Sequence, residues 1–268
     1  MGRTRANFLA CFIMIHTADP STWLDPPADV CMETQDVHIW RAADIDAAAE
    51  NGFLYPLLDS KEQARAAGFK FEHDRTRFIF CRGLLRQLLG RYSGESPGDI
   101  TFAYGPFGKP SIASGSSVAG GPPLHFNVSH TKGLALFAFS ASMEVGIDVE
   151  AIESAHDWQT TARRFFHPNE WALLESKPPS AKARTGYLLW TCKEAYLKAS
   201  GEGVGGGLEA FEVIPPASIG GEARINLPKD SENCATYLRS LEVGTGFAAA
   251  LAVLGRPSRL RTWNLHFR

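Results

Sequence analysis

Several features that would narrow the function class are scarce or missing in this sequence. Its longest unbroken apolar runs, Phe8–Ile15 and Phe247–Leu254, fall well short of the ~20 apolar residues a membrane helix needs, which excludes a helical transmembrane span. Charge of one sign is not in excess: 27 Lys and Arg against 29 Asp and Glu give a formal net charge of -2. The chain therefore has no global electrostatic footprint for nucleic acid. Cysteines number five and are scattered (Cys11, Cys31, Cys81, Cys192 and Cys234), with no CxxC pair. That argues against both a disulfide framework and a structural zinc knot, and fits thiols in a reducing cytoplasm. No short-period repeat is visible.

What is present is the composition of a folded protein, 44% hydrophobic and 21% charged over 268 residues, enough for two modest domains or for two similar halves. Residues 1–35 read as an extension. Arg3 and Arg5 before Phe8–Ile15 mimic a secretory signal, but no small-residue cleavage site follows, and the prolines of Ser21–Asp29 read as linker. Ordered structure is expected from Val37–Trp40. A helix is expected around Ser60–Gly68, and another where Phe78, Cys81, Leu85, Leu88 and Leu89 recur at helical spacing, with Gly90 as its stop. In this helix Asp74, Arg77 and Cys81 lie on neighbouring turns, which aims Arg77 inward. Leu124–Ser129, Leu134–Ser140 and Val145–Glu150 read as strands. Ala183–Ala199 is the clearest helix, ended by Gly201 and the glycines after it, and strands return at Phe211–Ile214, Ala235–Val243 and Phe247–Leu254. The class is α+β, with an N-terminal half over 36–140 and a C-terminal half over 141–268.

Chemistry concentrates at four places. In Gly146-Ile-Asp-Val-Glu150 strand alternation puts Asp148 and Glu150 on one face, with Ile147 and Val149 toward the core. At ~5 Å and an effective dielectric of ~20 their repulsion is about 3 kcal/mol, a cost that a hard divalent cation removes. In Trp190-Thr-Cys-Lys-Glu-Ala-Tyr-Leu-Lys198, Glu194 and Lys198 stand one helical turn apart, either an ordinary surface pair or a third carboxylate beside a phosphate-binding lysine. Phe126-Asn-Val-Ser-His130 ends a strand with Asn127, Ser129 and His130, all suited to hydrogen bonds with phosphate oxygens. Gly105-Pro-Phe-Gly-Lys-Pro110 sets Lys109 on a glycine-bracketed turn where backbone can approach a ligand closely.

In this order the segments Phe71–Leu89, Gly108–Pro110, Phe126–His130, Gly146–Glu150, Arg164–Glu170 and Trp190–Gly203 resemble the 4′-phosphopantetheinyl transferase superfamily, specifically its larger, surfactin-synthetase-activating (Sfp-type) class. The resemblance spans roughly residues 36–255, and the paired GIDVE and WxxKEAxxK signatures make it specific. It implies two similar α+β halves related by pseudo-twofold symmetry, with coenzyme A in the cleft between them. The implied reaction moves phosphopantetheine from coenzyme A to a serine of an apo acyl or peptidyl carrier protein, with magnesium, releasing adenosine 3′,5′-bisphosphate.

Carried over by position, Asp148, Glu150 and Glu194 are the metal acids. Arg77, Lys109, Asn127, Ser129, His130, Lys193 and Lys198 are coenzyme A contacts, and Glu194, Lys198 and His130 are the catalytic set. Glu194 is also the favoured general base for the carrier serine. About Gly201–Ser231 would face the carrier. Lys61, Arg65 and Lys70 are candidates for basic residues upstream of the Arg77 helix, and Cys192 reads as packing rather than as a nucleophile. Two halves in one chain already supply the cleft, so a monomer in the cytoplasm, bound to neither membrane nor nucleic acid, is expected. A non-catalytic module that binds coenzyme A or a carrier protein is the alternative, and a hydrolase of the coenzyme A pyrophosphate is a weaker one.

Overall fold

The computed structural model describes residues 23–49, 53–113, 124–203, 207–228 and 235–267. Most of the expected N-terminal extension thus lies outside the described residues, as do residues 114–123. The chain begins with β1 (Asp36–Ala43), α1 (Ile45–Ala49), α2 (Ser60–Ala67) and α3 (Glu72–Ser93), followed by β2 (Phe102–Tyr104), β3 (Pro110–Ile112), β4 (His125–Thr131) and β5 (Leu134–Ser140). It continues with β6 (Val145–Ala151), α4 (Trp158–Phe165), α5 (Pro168–Glu175) and α6 (Pro179–Ser200). The last strands are β7 (Glu212–Ile214), β8 (Glu222–Asn226), β9 (Thr236–Ser240), β10 (Phe247–Leu254) and β11 (Arg259–Leu265).

Local chemistry explains where the helices begin and end. A capping box starts α2, where Asp59 and Glu62 satisfy each other's backbone N–H. Another starts α5, with His167 and Glu170 as the box and a proline in the first turn. Both long helices end on a left-handed glycine, Gly94 at φ 76° and Gly201 at φ 75°. Gly90, expected as the stop of α3, lies inside the helix. Its lack of a side chain admits the returning chain at Glu95 and Pro97, which a Cβ would strike. Beneath α3, Arg86 is wholly buried and satisfied by Glu62, Asp59 and the carbonyls of Pro97 and Ile100, which fixes α2 and the approach to β2 on one helix.

The sheets carry the pseudo-symmetry. One has the strand order β11-β1-β5-β4, the other β6-β10-β9-β8-β7, and β1-β5-β4 and β6-β10-β9 are antiparallel throughout. Each trio is backed by a 22-residue helix, α3 for the first and α6 for the second. The other faces of the two sheets meet, with Ile39, Leu136 and Ala138 in the same core cluster as Ile147, Val149 and Leu251. Burial on both faces is why β5 and β10 read as nearly continuous apolar runs rather than alternating ones.

Two features depart from the expected division of the chain. Strand β11 pairs parallel with β1 and so completes the N-terminal sheet. Buried Asp36 helps to hold it there, with Arg259 and Arg261 at 4.0 and 3.8 Å. Trp23 and Leu24, expected in a linker, are tied down as well. The Trp23 indole N–H donates to the Glu242 carbonyl, and Leu24 bridges to β11 through Thr262 and Asn264.

The second sheet approaches α6 closely at Gly146, where a Cβ would collide with the α6 backbone at Ala195 and Ala199. Gly146→Ala is therefore expected to destabilise the protein by about 3 kcal/mol, as overpacking against immovable backbone does. Urea unfolding of the variant checks this.

Candidate active site

The close approach of α6 to β6 builds the site. Gly146, Asp148 and Glu150 share the β6 face beneath the helix, while Ile147 and Val149 enter the core between the sheets, as alternation requires. From α6, Glu194 and Lys198 come down one turn apart onto the same patch. The Lys198 ammonium donates to Asp148 Oδ1 at 2.6 Å and to Ser129 Oγ at 3.2 Å. Ser129, on β4, donates its own hydroxyl to Asp148 Oδ1 at 2.9 Å. Asp148 is buried, and its Oδ2 has no hydrogen-bond partner among the described residues.

These carboxylates are under electrostatic stress. Burial, and then the charge of Asp148, push Glu150 up to about 7 against the pull of Lys198. Burial also raises Glu194 above the usual carboxylate range, again opposed by Lys198 and aided by Asp148. Like charges hold one another apart, and among the described residues no three acidic, His or Cys side chains already stand in a coordinating arrangement. An unpaired buried carboxylate oxygen beside two carboxylates with raised pKa values is nevertheless a donor set suited to a hard divalent cation.

Around this centre the cleft opens in two directions. On one side a cavity of about 280 Å³ is lined by Lys109, Asn127, Glu194, Lys198 and Gly203. A second, of about 240 Å³, lined by Arg65, Arg82, Tyr104 and His130, shares Gly108, Pro110 and Asn127 with the first. On the other side, from Glu150, runs an aromatic groove of about 420 Å³ with Trp158, Phe165, Tyr187 and Trp190. His130 is open to the cleft, yet the surrounding protein, then Arg77 and Lys198, hold its imidazole below the ordinary histidine range.

The other expected site residues fall differently. Asn127 lines both cavities, while its Oδ1 accepts the Ile147 N–H. Arg77 is bound to Asp46 near His130. Lys109 lines the first cavity, but its ammonium is spent on Glu144, the Val145 carbonyl and the Ala199 carbonyl. All three of its N–H donors are thereby used to clamp the turn onto the C-terminal half.

Lys193 corrects the expectation of a cofactor contact. It is fully buried, 2.9 Å from Glu170 Oε1, and it donates to the carbonyls of Leu208 and Phe211. It packs α6 against α5 and the chain leading to β7, because it projects from the opposite side of the helix to Lys198. Cys192, too, is buried, with its thiol pushed up to about 12 by burial, which suits packing and not nucleophilic chemistry. Arg82, which faces the second cavity, belongs to the side of α3 that Arg75, Arg82 and Arg86 crowd at helical spacing, a pattern that by itself assigns none of the three to a site. Lys61 and Lys70 line neither cavity.

The profile of the 4′-phosphopantetheinyl transferase superfamily matches residues 144–252, and that of a 4′-phosphopantetheinyl transferase N-terminal domain matches 47–142. The chain is 40% identical over 192 residues to the 4′-phosphopantetheinyl transferase HetI of Nostoc sp., covering 72% of this chain and 79% of that one. It is 28% identical over 202 residues to the 4′-phosphopantetheinyl transferase Sfp of Bacillus subtilis, covering 75% and 84%.

A raised carboxylate binds its proton more tightly in the folded than in the unfolded chain, so its contribution to stability falls as pH climbs from about 4.5 to about 7. Thermal melts of the chelator-treated chain should show this loss between those pH values, and Glu150→Gln should flatten it. Equal slopes for the two proteins would mean that Glu150 is not the strained group.

Proposed function

The chain belongs to the 4′-phosphopantetheinyl transferase superfamily, and from that premise we propose how its own residues perform the transfer. It is a 4′-phosphopantetheinyl transferase that moves the phosphopantetheine group of coenzyme A to a carrier protein. The observation that carries the assignment of roles is the placement of Glu194 and Lys198 over Asp148 and Glu150, with Lys198 bonded to Asp148.

Phosphoryl transfer asks for positioning and charge neutralisation more than for a covalent intermediate. Asp148, Glu150 and Glu194 would hold magnesium, which supplies positive charge to the pyrophosphate of coenzyme A. Lys198, at the cavity edge, orients the pyrophosphate and offsets the charge that develops on the departing oxygen. His130 and Arg77 face the phosphates from the N-terminal half, and Asn127 offers its amide in the shared part of the cleft. Glu194, with its raised pKa, accepts the proton of the carrier serine. The serine oxygen forms a bond to the phosphorus next to pantetheine as the bond to the bridging oxygen breaks. The leaving group is adenosine 3′,5′-bisphosphate.

The expected substrate is an apo acyl or peptidyl carrier protein, taken with broad tolerance among fatty acid, polyketide, nonribosomal peptide and lysine-pathway carriers. The chain segment after α6, about Gly201–Ser231, is the region that would face it. A monomer acting in a reducing cytoplasm fits a cleft built by two halves of one chain and thiols without a disulfide pattern.

Intact-mass spectrometry of an apo-carrier incubated with the chain, coenzyme A and magnesium tests the reading. A gain of one phosphopantetheine, lost on adding chelator, is the expected result. Asp148→Ala and Glu194→Gln should each slow transfer by at least about a hundredfold, the scale of removing one transition-state contact. Near-normal turnover in either variant at saturating magnesium would overturn the assignment of that residue.

A further inference from the structure

One carboxylate outside the site described above joins three pieces of the N-terminal half. Asp46 lies on the short helix α1 and is half-buried. Its Oδ1 accepts both Nε and Nη2 of Arg77 from α3, at 3.0 and 2.9 Å. Its Oδ2 accepts the backbone N–H of Gly133 at 2.9 Å, in the turn that joins β4 to β5. Gly133 has φ 80°, a left-handed conformation that makes this turn a fixed geometric feature.

An exposed ion pair of two flexible side chains contributes little, but this arrangement differs from one. The Arg77 side chain is only 15% exposed, and each carboxylate oxygen serves a different element. The turn it anchors follows directly on Ser129 and His130, and Arg77 stands close enough to His130 to influence its charge. A guanidinium held through two hydrogen bonds to Asp46 on one side, with Nη1 3.8 Å from Asp74 one turn earlier on α3, presents its remaining N–H groups in a set direction.

We propose that Asp46 is a positioning residue for coenzyme A, holding the Arg77 guanidinium and the β4–β5 turn in one arrangement on the N-terminal wall of the cleft. The inference rests on the transferase reading, in which Arg77 and His130 meet the phosphates, and extends it to a residue just outside the segment matched by the N-terminal profile. Asp46 does not touch the ligand; it acts through Arg77 and the turn.

Calorimetric titration of coenzyme A and of adenosine 3′,5′-bisphosphate into the full chain tests it, with wild type, Asp46→Asn, Arg77→Met and the double variant. Asp46→Asn is nearly isosteric and removes the charge that orients Arg77. It should bind coenzyme A about tenfold more weakly, the scale of one charge-assisted contact, with its melting temperature close to that of wild type. In transfer kinetics KM for coenzyme A should rise, while kcat and KM for the carrier stay near wild type. Asp46→Glu, which keeps the charge, should recover part of the loss.

The Asn side-chain oxygen can still accept the Gly133 N–H, so Asp46→Asn releases Arg77 while keeping the turn, and the double variant should bind no more weakly than Arg77→Met alone. Wild-type affinity in folded Asp46→Asn, or losses that add in the double variant, would overturn the proposal. So would a rise in both KM values together with a lowered melting temperature in Asp46→Asn that Asp46→Glu leaves uncorrected, since that marks a general structural role. Failure of the wild-type chain to bind either ligand would remove the transferase reading and this inference together. Binding by wild type with no difference in Asp46→Asn would remove only the inference.

Discussion

The site depends on how β4 meets β6. These strands border different sheets, and side chains of one bond to the backbone of the other where they adjoin. The Asn127 side-chain oxygen, the Ser129 hydroxyl and the Thr131 hydroxyl accept the N–H groups of Ile147, Val149 and Ala151. Every second residue of β4 serves every second residue of β6, so the contact has a register as strict as a ladder's. Left unpaired, each buried N–H would cost about 1–3 kcal/mol, which makes the register hard to slip. That register also sets Ser129 opposite Asp148. A single hydroxyl receives the Val149 N–H and donates to the Asp148 carboxylate, so the contact that joins the halves also orients the first acid of the site.

On the far side of β6 the constraint is steric. Gly146 lets α6 lie directly on the strand, and this proximity places Glu194 and Lys198 above Asp148 and Glu150. The gathered acids are unfavourable in themselves, as the raised Glu150 and Glu194 show. Elsewhere the fold treats buried charge in the opposite way. Lys193 and Glu170, both fully buried, are saturated with partners, since Glu170 also accepts the N–H groups of His167 and Val213. A saturated pair fixes structure, whereas the half-satisfied cluster is where charge remains available for chemistry.

Much of this was legible from short-range pattern. The alternation of β6 and the i, i+4 spacing of Glu194 and Lys198 are local properties, and the structure keeps both. So were the long helices, the central strands and the glycine that ends α6. The failures come from long-range packing. Lys193 sits beside Glu194 in one signature, and only the placement of α5 and the chain near Phe211 decides that it faces inward. Gly90 resembled a stop because the sequence does not reveal that Glu95 and Pro97 fold back onto it. Nothing in Arg259–Leu265 announces a strand that returns to the first sheet, since its partner β1 lies more than two hundred residues away. Asp46 has no motif around it; its importance lies in joining α3 and the β4–β5 turn, which meet only in three dimensions.

Amide hydrogen exchange at Ile147, Val149 and Ala151, read by NMR, tests the claim about the β4–β6 contact most directly. Slow exchange is expected at all three in the wild-type chain, because their N–H groups are bonded to side chains in a contact that is buried at Ile147 and Val149 and half-buried at Ala151. Ser129→Ala should then accelerate exchange at Val149 and, in the same protein, weaken the magnesium binding proposed for the site, since Asp148 loses the hydroxyl that orients it. Fast exchange at these amides in wild type would contradict the account, as would protection of Val149 that Ser129→Ala leaves unchanged.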